Sequence, residues 1–596
     1  MKKLLLTCAV MLGLFSICAN ATIVYVDSAH TGGTQNGISW ATAFSDFQAG
    51  INAANADDSV WVAKGTYIAP LDNSFTMKEG VKIFGGFTST DILFSDRNWE
   101  NDSTKLQLNG NNLDNEFVIS NDNNNLTSAA QLDGFVINKG EAFSGKGIYN
   151  NYASPTISNC IFRDGYVFGY GLDHKLNANG VAIYNIHASS SIIHCSFIDN
   201  EASTGGDNGH GGAIYNDSCI SVIDDCMFSN NTSTYGGAIS NYYSSSTVIN
   251  CSFDNNMANT GGAIHCDKNS TLIVRKCTFL NNQANGYGGG IGGEYYHAHI
   301  SNSTFEGNNS SGWGGAIYNG DLSLDTIKNC IFINNRAATN SGSGGTILYS
   351  ARGENSIINS LFLNTGSVNI DGNTSLVMTN CTFYGIVPYG SSIDHGSFGT
   401  LTINNTIIAA SSGLHFSLGG AELIAANSII KGMSANLSNH ILDGDTDPLF
   451  VDAANNDFRL QPGSLCIDAG NNAAYSSVGN LQADLDLGDS SRLKGTIIDM
   501  GAYEGQGALP PTGINSFDKE TVSINISPNP SKETIHISFT DEKLLHTEAV
   551  LTDIYGRTVR EIMLNNNSQQ LSMAGLSSGV YILKTITGNS VKIIKE

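Results

Sequence analysis

Nine times between residues 157 and 383 the chain repeats one order of positions: an aliphatic residue, two mostly polar residues, Cys or Ser, a variable residue, then Phe. The aliphatic position holds Ile157, Ile192, Ile223, Val248, Val274, Ile300, Ile327, Ile357 and Met378. The aromatic position holds Phe162, Phe197, Phe228, Phe253, Phe279, Phe305, Phe332, Phe362 and Phe383, at intervals of 35, 31, 25, 26, 26, 27, 30 and 21. The polar pair commonly ends in Asn (Asn159, Asn250, Asn302, Asn329, Asn359, Asn380), a residue that tolerates left-handed backbone, which predicts a bend. Another Asn stands three residues after Phe in six consecutive repeats, from Asn200 to Asn335. A second block recurs in step: Gly212-Ala-Ile-Tyr-Asn216, Gly237-Ala-Ile-Ser-Asn241, Gly262-Ala-Ile-His-Cys266 and Gly315-Ala-Ile-Tyr-Asn319, with looser copies at Gly180, Gly289 and Gly345. Neither block has a helical period, so each repeat reads as short strands separated by Gly and Asn bends.

Repeats this short cannot bury an apolar face alone. Stacked, they can, because each strand pairs with its counterpart in the next repeat about 4.8 Å away and the Ile, Cys and Phe columns fill the bore. The predicted fold is all-β: a right-handed parallel β-helix followed by a small C-terminal β-sandwich. A β-propeller also repeats, but its blades run longer, about 40 to 50 residues. Of 12 Cys, Cys8 and Cys18 belong to the leader and seven of the rest occupy one repeat column, with Ser303 and Ser360 substituting there. Many Cys in an exported chain suggest disulfides, whereas placement in a single column predicts buried free thiols acting as small apolar residues. Neither metal-ligand spacing nor a Cys nucleophile is evident, and no cofactor or metal is expected.

The ends differ from the middle. Lys2 and Lys3 precede an apolar run from Leu4 to Cys18, and Ala19-Asn20-Ala21 offers small residues to a signal peptidase, so cleavage after Ala21 is predicted. A lipid-anchored chain would start at Cys18, but Ile17 is larger than that processing wants. From Ile23 to Asn112 strands such as Val60–Tyr67 accompany a helix whose shared face is Phe44, Phe47, Ile51 and Ala54, with its N-cap at Ser45 or nearby. A solenoid's open end needs such a cap. Asp447 to Glu504 reads as a closing segment whose acids, Asp484, Asp486 and Asp489, are expected to be solvated beside Arg492, with calcium ligation as the alternative. The predicted organisation is signal peptide 1–21, cap and first rungs 22–112, repeats 113–440, closing segment 441–504, linker 505–520 and C-terminal domain 521–596.

Two resemblances follow from these motifs. Over Gly134 to Phe383 the Gly-Gly-Ala-Ile and Phe-x-x-Asn blocks resemble those of polymorphic outer membrane proteins, β-helical surface adhesins and autotransporter passengers. Ser527-Pro-Asn-Pro530, Ile535-His-Ile-Ser-Phe539, Asp553-Ile-Tyr-Gly-Arg557, Leu576-Ser-Ser-Gly-Val-Tyr581 and Lys592-Ile-Ile-Lys595 resemble the C-terminal sorting domain of the type IX secretion system of Bacteroidota. That resemblance implies the secretion translocon and sorting machinery as partners, removal of the domain, and a secreted or surface-attached passenger. A carbohydrate-binding or immunoglobulin-like module is the alternative for this block.

The charge balance, 29 basic against 53 acidic residues for a net −24, excludes nucleic acid, whose binding needs a basic surface. It also bears on catalysis. Uronate lyases need clustered cations or calcium, yet the adjacent pair Arg275-Lys276 falls in a bend column. Inverting hydrolases need paired carboxylates near a His, and Asp224-Asp225 with Gly209-His-Gly211 supply these only superficially, since Asp225 stands in the same bend column as Asn250. An enzyme of the pectate-lyase-like β-helix class, lyase or hydrolase, is therefore the alternative to a binding protein. In the column before Gly-Gly stand His210, Tyr235, Thr260, Tyr287, Trp313 and Ser343. The rung spacing would gather His210, Tyr235, Tyr287 and Trp313 into an aromatic stripe suited to sugar rings or a protein partner, the alternative being rung-to-rung stacking that stabilises the solenoid. A second stripe, Tyr149, Tyr184, Tyr215, His265 and Tyr318, follows the Ala-Ile pairs. Adhesion, or glycan or partner binding, is the expected role.

Overall fold

The computed structural model describes residues 21–505 except 72, 102, 111–116, 141–144, 170–177, 205–208, 321–324, 338–347, 351–353, 365–367, 371–374, 386–392, 396–398, 411–415, 418–421 and 432–438, together with 525–595 except 528–532, 540–543, 554–557, 577–578 and 586–589. Residues 1–20 of the expected signal peptide, linker residues 506–520, Ser343, Gly345 and the Tyr-Gly-Arg turn lie outside the described residues.

Each coil feeds three long parallel sheets. Among the described residues sheet I has 15 strands, from Ile23–Val26 to Glu422–Ala426; sheet II has 15, from Gly65–Ile68 to Ile441–Leu442; sheet III has 12, from Phe117–Asp122 to Phe416–Ser417. Sheet IV is short: Met257–Thr260, Gln283–Tyr287, Asn309–Ser310 and Arg336–Ala337. Register matches the repeat alignment, with Ile223 opposite Val248, and Phe253 opposite Phe228 and Phe279. The Ile, Cys and Phe columns face inward and no member is more than 5% exposed. From Phe162 to Phe383 the rings stack with centroids 4.3–5.0 Å apart. All ten described cysteines are free and buried. Their thiols donate to nearby carbonyls, as from Cys160 Sγ to Ser158 O (3.1 Å).

The abundance of Gly and Asn has a backbone cause. A coil bends through left-handed residues at four corners: one coil uses Tyr243 (φ 49°) between sheets III and I, Asn250 (54°) between I and II, Asn255 (54°) after II, and Gly261 (66°) before III. At the last corner only glycine fits: a Cβ on Gly261 would overlap the Ile264 carbonyl. Asn200, Asn231, Asn256, Asn282, Asn308 and Asn335 do something different from the bends. Each is buried, and the Nδ2 of each of the first five donates to the next Oδ1 at 2.9–3.0 Å, forming an amide ladder inside the wall. A second ladder joins Asn121, Asn150, Asn185, Asn216 and Asn241 inside sheet III, each link 2.9 Å.

The helix near the N-terminus spans Phe47–Ala53, and its N-cap is Asp46, whose carboxylate accepts from Ala49 N at 2.6 Å. The cap thus lies one residue beyond Ser45, and Phe44 and Ala54 flank the helix. Its Phe47 and Ile51 cover the first rungs, where Phe47 meets Phe75 at 4.8 Å.

The closing segment runs along the corner between sheets I and II. Asn359 donates to Tyr475 Oη (2.9 Å), Asn380 to Asp499 O (2.8 Å), Asn405 to Asn471 O (3.1 Å) and Asn427 to Ala469 O (2.9 Å). The expectation of solvated acids is corrected for two of the three. Asp486 is buried, accepting from the amides of Gly488, Ser490 and Glu504, and Asp484 binds Lys328 Nζ (2.6 Å) and Tyr475 Oη (3.0 Å). Arg492 is buried too and bonds Glu504 at 2.7 Å. The desolvation of carboxylates around one guanidinium was not visible from their spacing.

The C-terminal unit consists of two antiparallel sheets, ordered 525–527, 534–538, 568–572 and 558–564, 547–553, 579–585, 590–595. Ile535, Ile537, Leu551, Leu564, Leu583 and Ile593 form much of its core.

Candidate functional site

The sheet IV strands Met257–Thr260 and Gln283–Tyr287 run straight into the glycine corner at Gly261 and Gly288, so Thr260 and Tyr287 stand at the edge where the chain turns into sheet III. His210 bridges Tyr235, Tyr235 bridges Thr260, and Thr260 pairs with Tyr287. Gly288 N donates to Trp313 O in the following rung. The column therefore exists in space as well as in the alignment. His210 and Tyr235 stack at 4.8 Å, and Tyr287 and Trp313 at 5.4 Å. Thr260 separates the two pairs, so the stripe is two aromatic plates rather than one ladder. Gly312 makes room for the second plate: a Cβ there would lie 2.8 Å from the Tyr287 ring. His210, Tyr235 and Trp313 are half-buried, and Tyr287 is 38% exposed.

The plates rest on the second stripe. Tyr149, Tyr184, Tyr215, His265 and Tyr318 point outward from sheet III, yet all are buried because neighbouring rings cover them. Tyr184 meets Tyr149 at 5.5 Å and Tyr215 at 5.2 Å, edge to face. Tyr235 lies 5.0 Å from His265, and Tyr287 lies 4.8 Å from Tyr318. Where the column has Ser240, its hydroxyl lies 3.4 Å from His210 Nδ1 and 3.3 Å from His265 Nδ1. Burial lowers the pKa of His210 to about 4 and of His265 to about 3, so both imidazoles are neutral at pH 7. Ser240 is fully buried beneath them. At the head of the stripe Lys146 is buried with Nζ 5.0 Å from the Phe117 centroid and 5.5 Å from that of Tyr184, and burial lowers its pKa to about 7.

The charged residues that the sequence offered for catalysis sit elsewhere. Asp225 (φ 51°) and Lys276 (φ 54°) form left-handed corners between sheets I and II. Asp224 accepts from Asn250 Nδ2 (2.9 Å), and Asp225 pairs with His194 at 2.8 Å with more than half of each side chain in water. Among the described residues no three His, Cys, Asp or Glu are grouped to hold a metal ion. Sequence reasoning missed the tyrosines at the sheet III to sheet I corner. Tyr152, Tyr243 and Tyr295 adopt φ of 49°, 49° and 54° and are 52%, 56% and 37% exposed. Bulky residues rarely take that conformation, and the three stand just past the ends of the strands Lys146–Asn151, Ile239–Tyr242 and Ile291–Gly293.

Residues 179–362 match the family model described as the right-handed beta helix region, and residues 525–596 match the secretion system C-terminal sorting domain. No curated protein sequence matches the chain. Among solved structures, the pectate lyase Pel9A is similar at 15% identity over 82% of this chain and 96% of that one, with a TM-score of 0.26. A polygalacturonase from Erwinia carotovora ssp. carotovora shares 9% identity over 67% of this chain and 95% of that one, TM-score 0.27. The tailspike of Pseudomonas phage phi297 shares 14% over 64% and 75%, TM-score 0.30. These scores are too low for any of the three to bear on activity or ligand. The stacked coils and the matched C-terminal domain together make this a secreted or cell-surface parallel β-helix protein that is sorted by the type IX secretion system.

Proposed function

We propose that the protein is an adhesin-like binding solenoid that holds a glycan or a surface partner on the aromatic edge of His210, Tyr235, Tyr287 and Trp313. The observation that carries this reading is the pair of half-exposed plates seated on a buried aromatic stripe, a rigid apolar surface at low conformational cost. The likeness of the Gly-Gly-Ala-Ile repeats to those of polymorphic outer membrane adhesins supports it. Replacing Tyr235, Tyr287 and Trp313 together by Ala abolishes glycan retention or cell adhesion while the melting transition of the solenoid persists. Unchanged adhesion refutes the edge. The same protein incubated with polysaccharides and assayed for new reducing ends or unsaturated uronates tests the lyase or hydrolase alternative, and turnover would replace the binding reading.

A further inference from the structure

Beside the aromatic edge, the outer face of sheet IV is a second surface that no motif announces. Asn259, Gln283, Asn285, Asn309 and Ser311 are exposed on successive rungs, and Met257 lies among them. Gln283 pairs with Met257 and Asn309 in register, so these amides recur about every 4.8 Å along the axis. Segments 232–235, 257–260, 283–287 and 309–313 contain no Asp, Glu, Lys, Arg or His. Among the described residues of this wall, charge begins at the borders: Glu201 pairs with Thr232 on one side and Arg336 with Asn309 on the other. Asp254 and Glu306 belong to sheet II around one corner, and Asp217 and Asp267 to sheet III beyond the buried stripe. In a chain of net −24 this uncharged shelf of amides, hydroxyls and aromatic plates departs from the surrounding surface.

Resting on the aromatic-edge reading above, we infer that the ligand is a neutral, extended polysaccharide lying parallel to the solenoid axis across the rungs of Tyr235 to Trp313. An uncharged sugar chain needs ring faces for stacking and amides for its hydroxyls, and an extended hexose unit is about as long as a rung is high. A uronate or sulfated chain would find no cation on the shelf and would approach a strongly acidic protein. The neutral state of His210 and His265 leaves the edge without charge.

The test uses the full-length protein on an array carrying neutral oligosaccharides (cello-, manno- and xylo-hexaoses) beside oligogalacturonates and sulfated glycans. The expected result is retention of neutral chains that persists in about 1 M salt, where surface charge is screened. Gln283→Ala and Asn285→Ala, both exposed, each weaken it about three- to tenfold without a change in melting temperature. Preference for acidic glycans, lost in salt but also lost in the Tyr235, Tyr287 and Trp313 variant, overturns the neutral-ligand inference and leaves the edge standing. Neutral binding untouched by the two amide variants overturns the shelf. No glycan retained by any arm overturns the inference and leaves the edge to a protein partner, whereas retention equal in the aromatic variant overturns the edge itself and the inference with it.

Discussion

Asn255 and Asn256 are adjacent, identical and physically opposite. Asn255 is an exposed corner with φ 54°, a conformation glycine adopts freely, so Asn255→Gly changes stability by less than about 1 kcal/mol. Asn256 is buried. Its Oδ1 accepts from Asn231 N and Nδ2, both at 3.0 Å, and its Nδ2 donates to Asn282 Oδ1 (3.0 Å) and Phe228 O (3.1 Å). Asn256→Ala strands several partners in the wall, at about 1 to 3 kcal/mol for each. Urea denaturation of the two variants measures the contrast, and equal midpoints would contradict the ladder. The repeat marked the Asn256 column and not the Asn255 corner beside it, and only the direction of the side chain tells a buried ladder amide from a bend. His265 gives a pH signature at the same scale. Its folded pKa, about 3, is below the ordinary 6.5, so the unfolded chain takes the proton first and stability falls as pH drops from about 6.5 toward 3. His265→Gln removes that part of the acid slope in thermal melts followed across pH.

At the scale of elements, the closing segment is held by one buried guanidinium. Arg492 donates to Glu504 Oε2 (2.7 Å) and to the carbonyls of Gly501 (3.2 Å) and Tyr503 (3.4 Å), while buried Asp486 and Asp499 lie in the same group. Removing one partner of a buried pair leaves uncompensated charge, so Arg492→Met destabilises by about 3 to 5 kcal/mol. Proteolysis should then cut first within 466–505, and a protection pattern like that of the wild type would refute the clamp. Burial raises Glu504 to about 7 from 4.5, against the pull of Arg492. Its contribution is therefore full below pH 4.5 and lost as pH rises through about 7, and Glu504→Gln flattens the neutral limb of the stability profile. This element was only partly legible. The acids and Arg492 were visible in sequence, but their burial arises from contacts with Asn359, Asn380 and Asn405, more than 60 residues upstream.

For the whole molecule, a strict repeat made the fold readable, because in-register stacking turns each alignment column into a spatial column: Phe228 faces Phe253 in the alignment and in the bore. The aromatic column was readable for the same reason. Its interruption was readable too, since Thr260 stands in the alignment, but the cushioning by His265 and Tyr318 was not, because two columns meet only where the glycine corner folds sheet IV against sheet III. The exposed corner tyrosines escaped because an aromatic residue with positive φ defies local preference. The binding claim is most directly tested by tryptophan fluorescence. Trp40, Trp61 and Trp99 all precede residue 100, so Trp313 alone reports from the edge. Titrating the full-length protein with a retained glycan should shift the emission, and Trp313→Phe, which keeps a stacking ring, should bind while abolishing the shift. Binding with no spectral change in the wild type, or a shift that survives Trp313→Phe, would contradict the account.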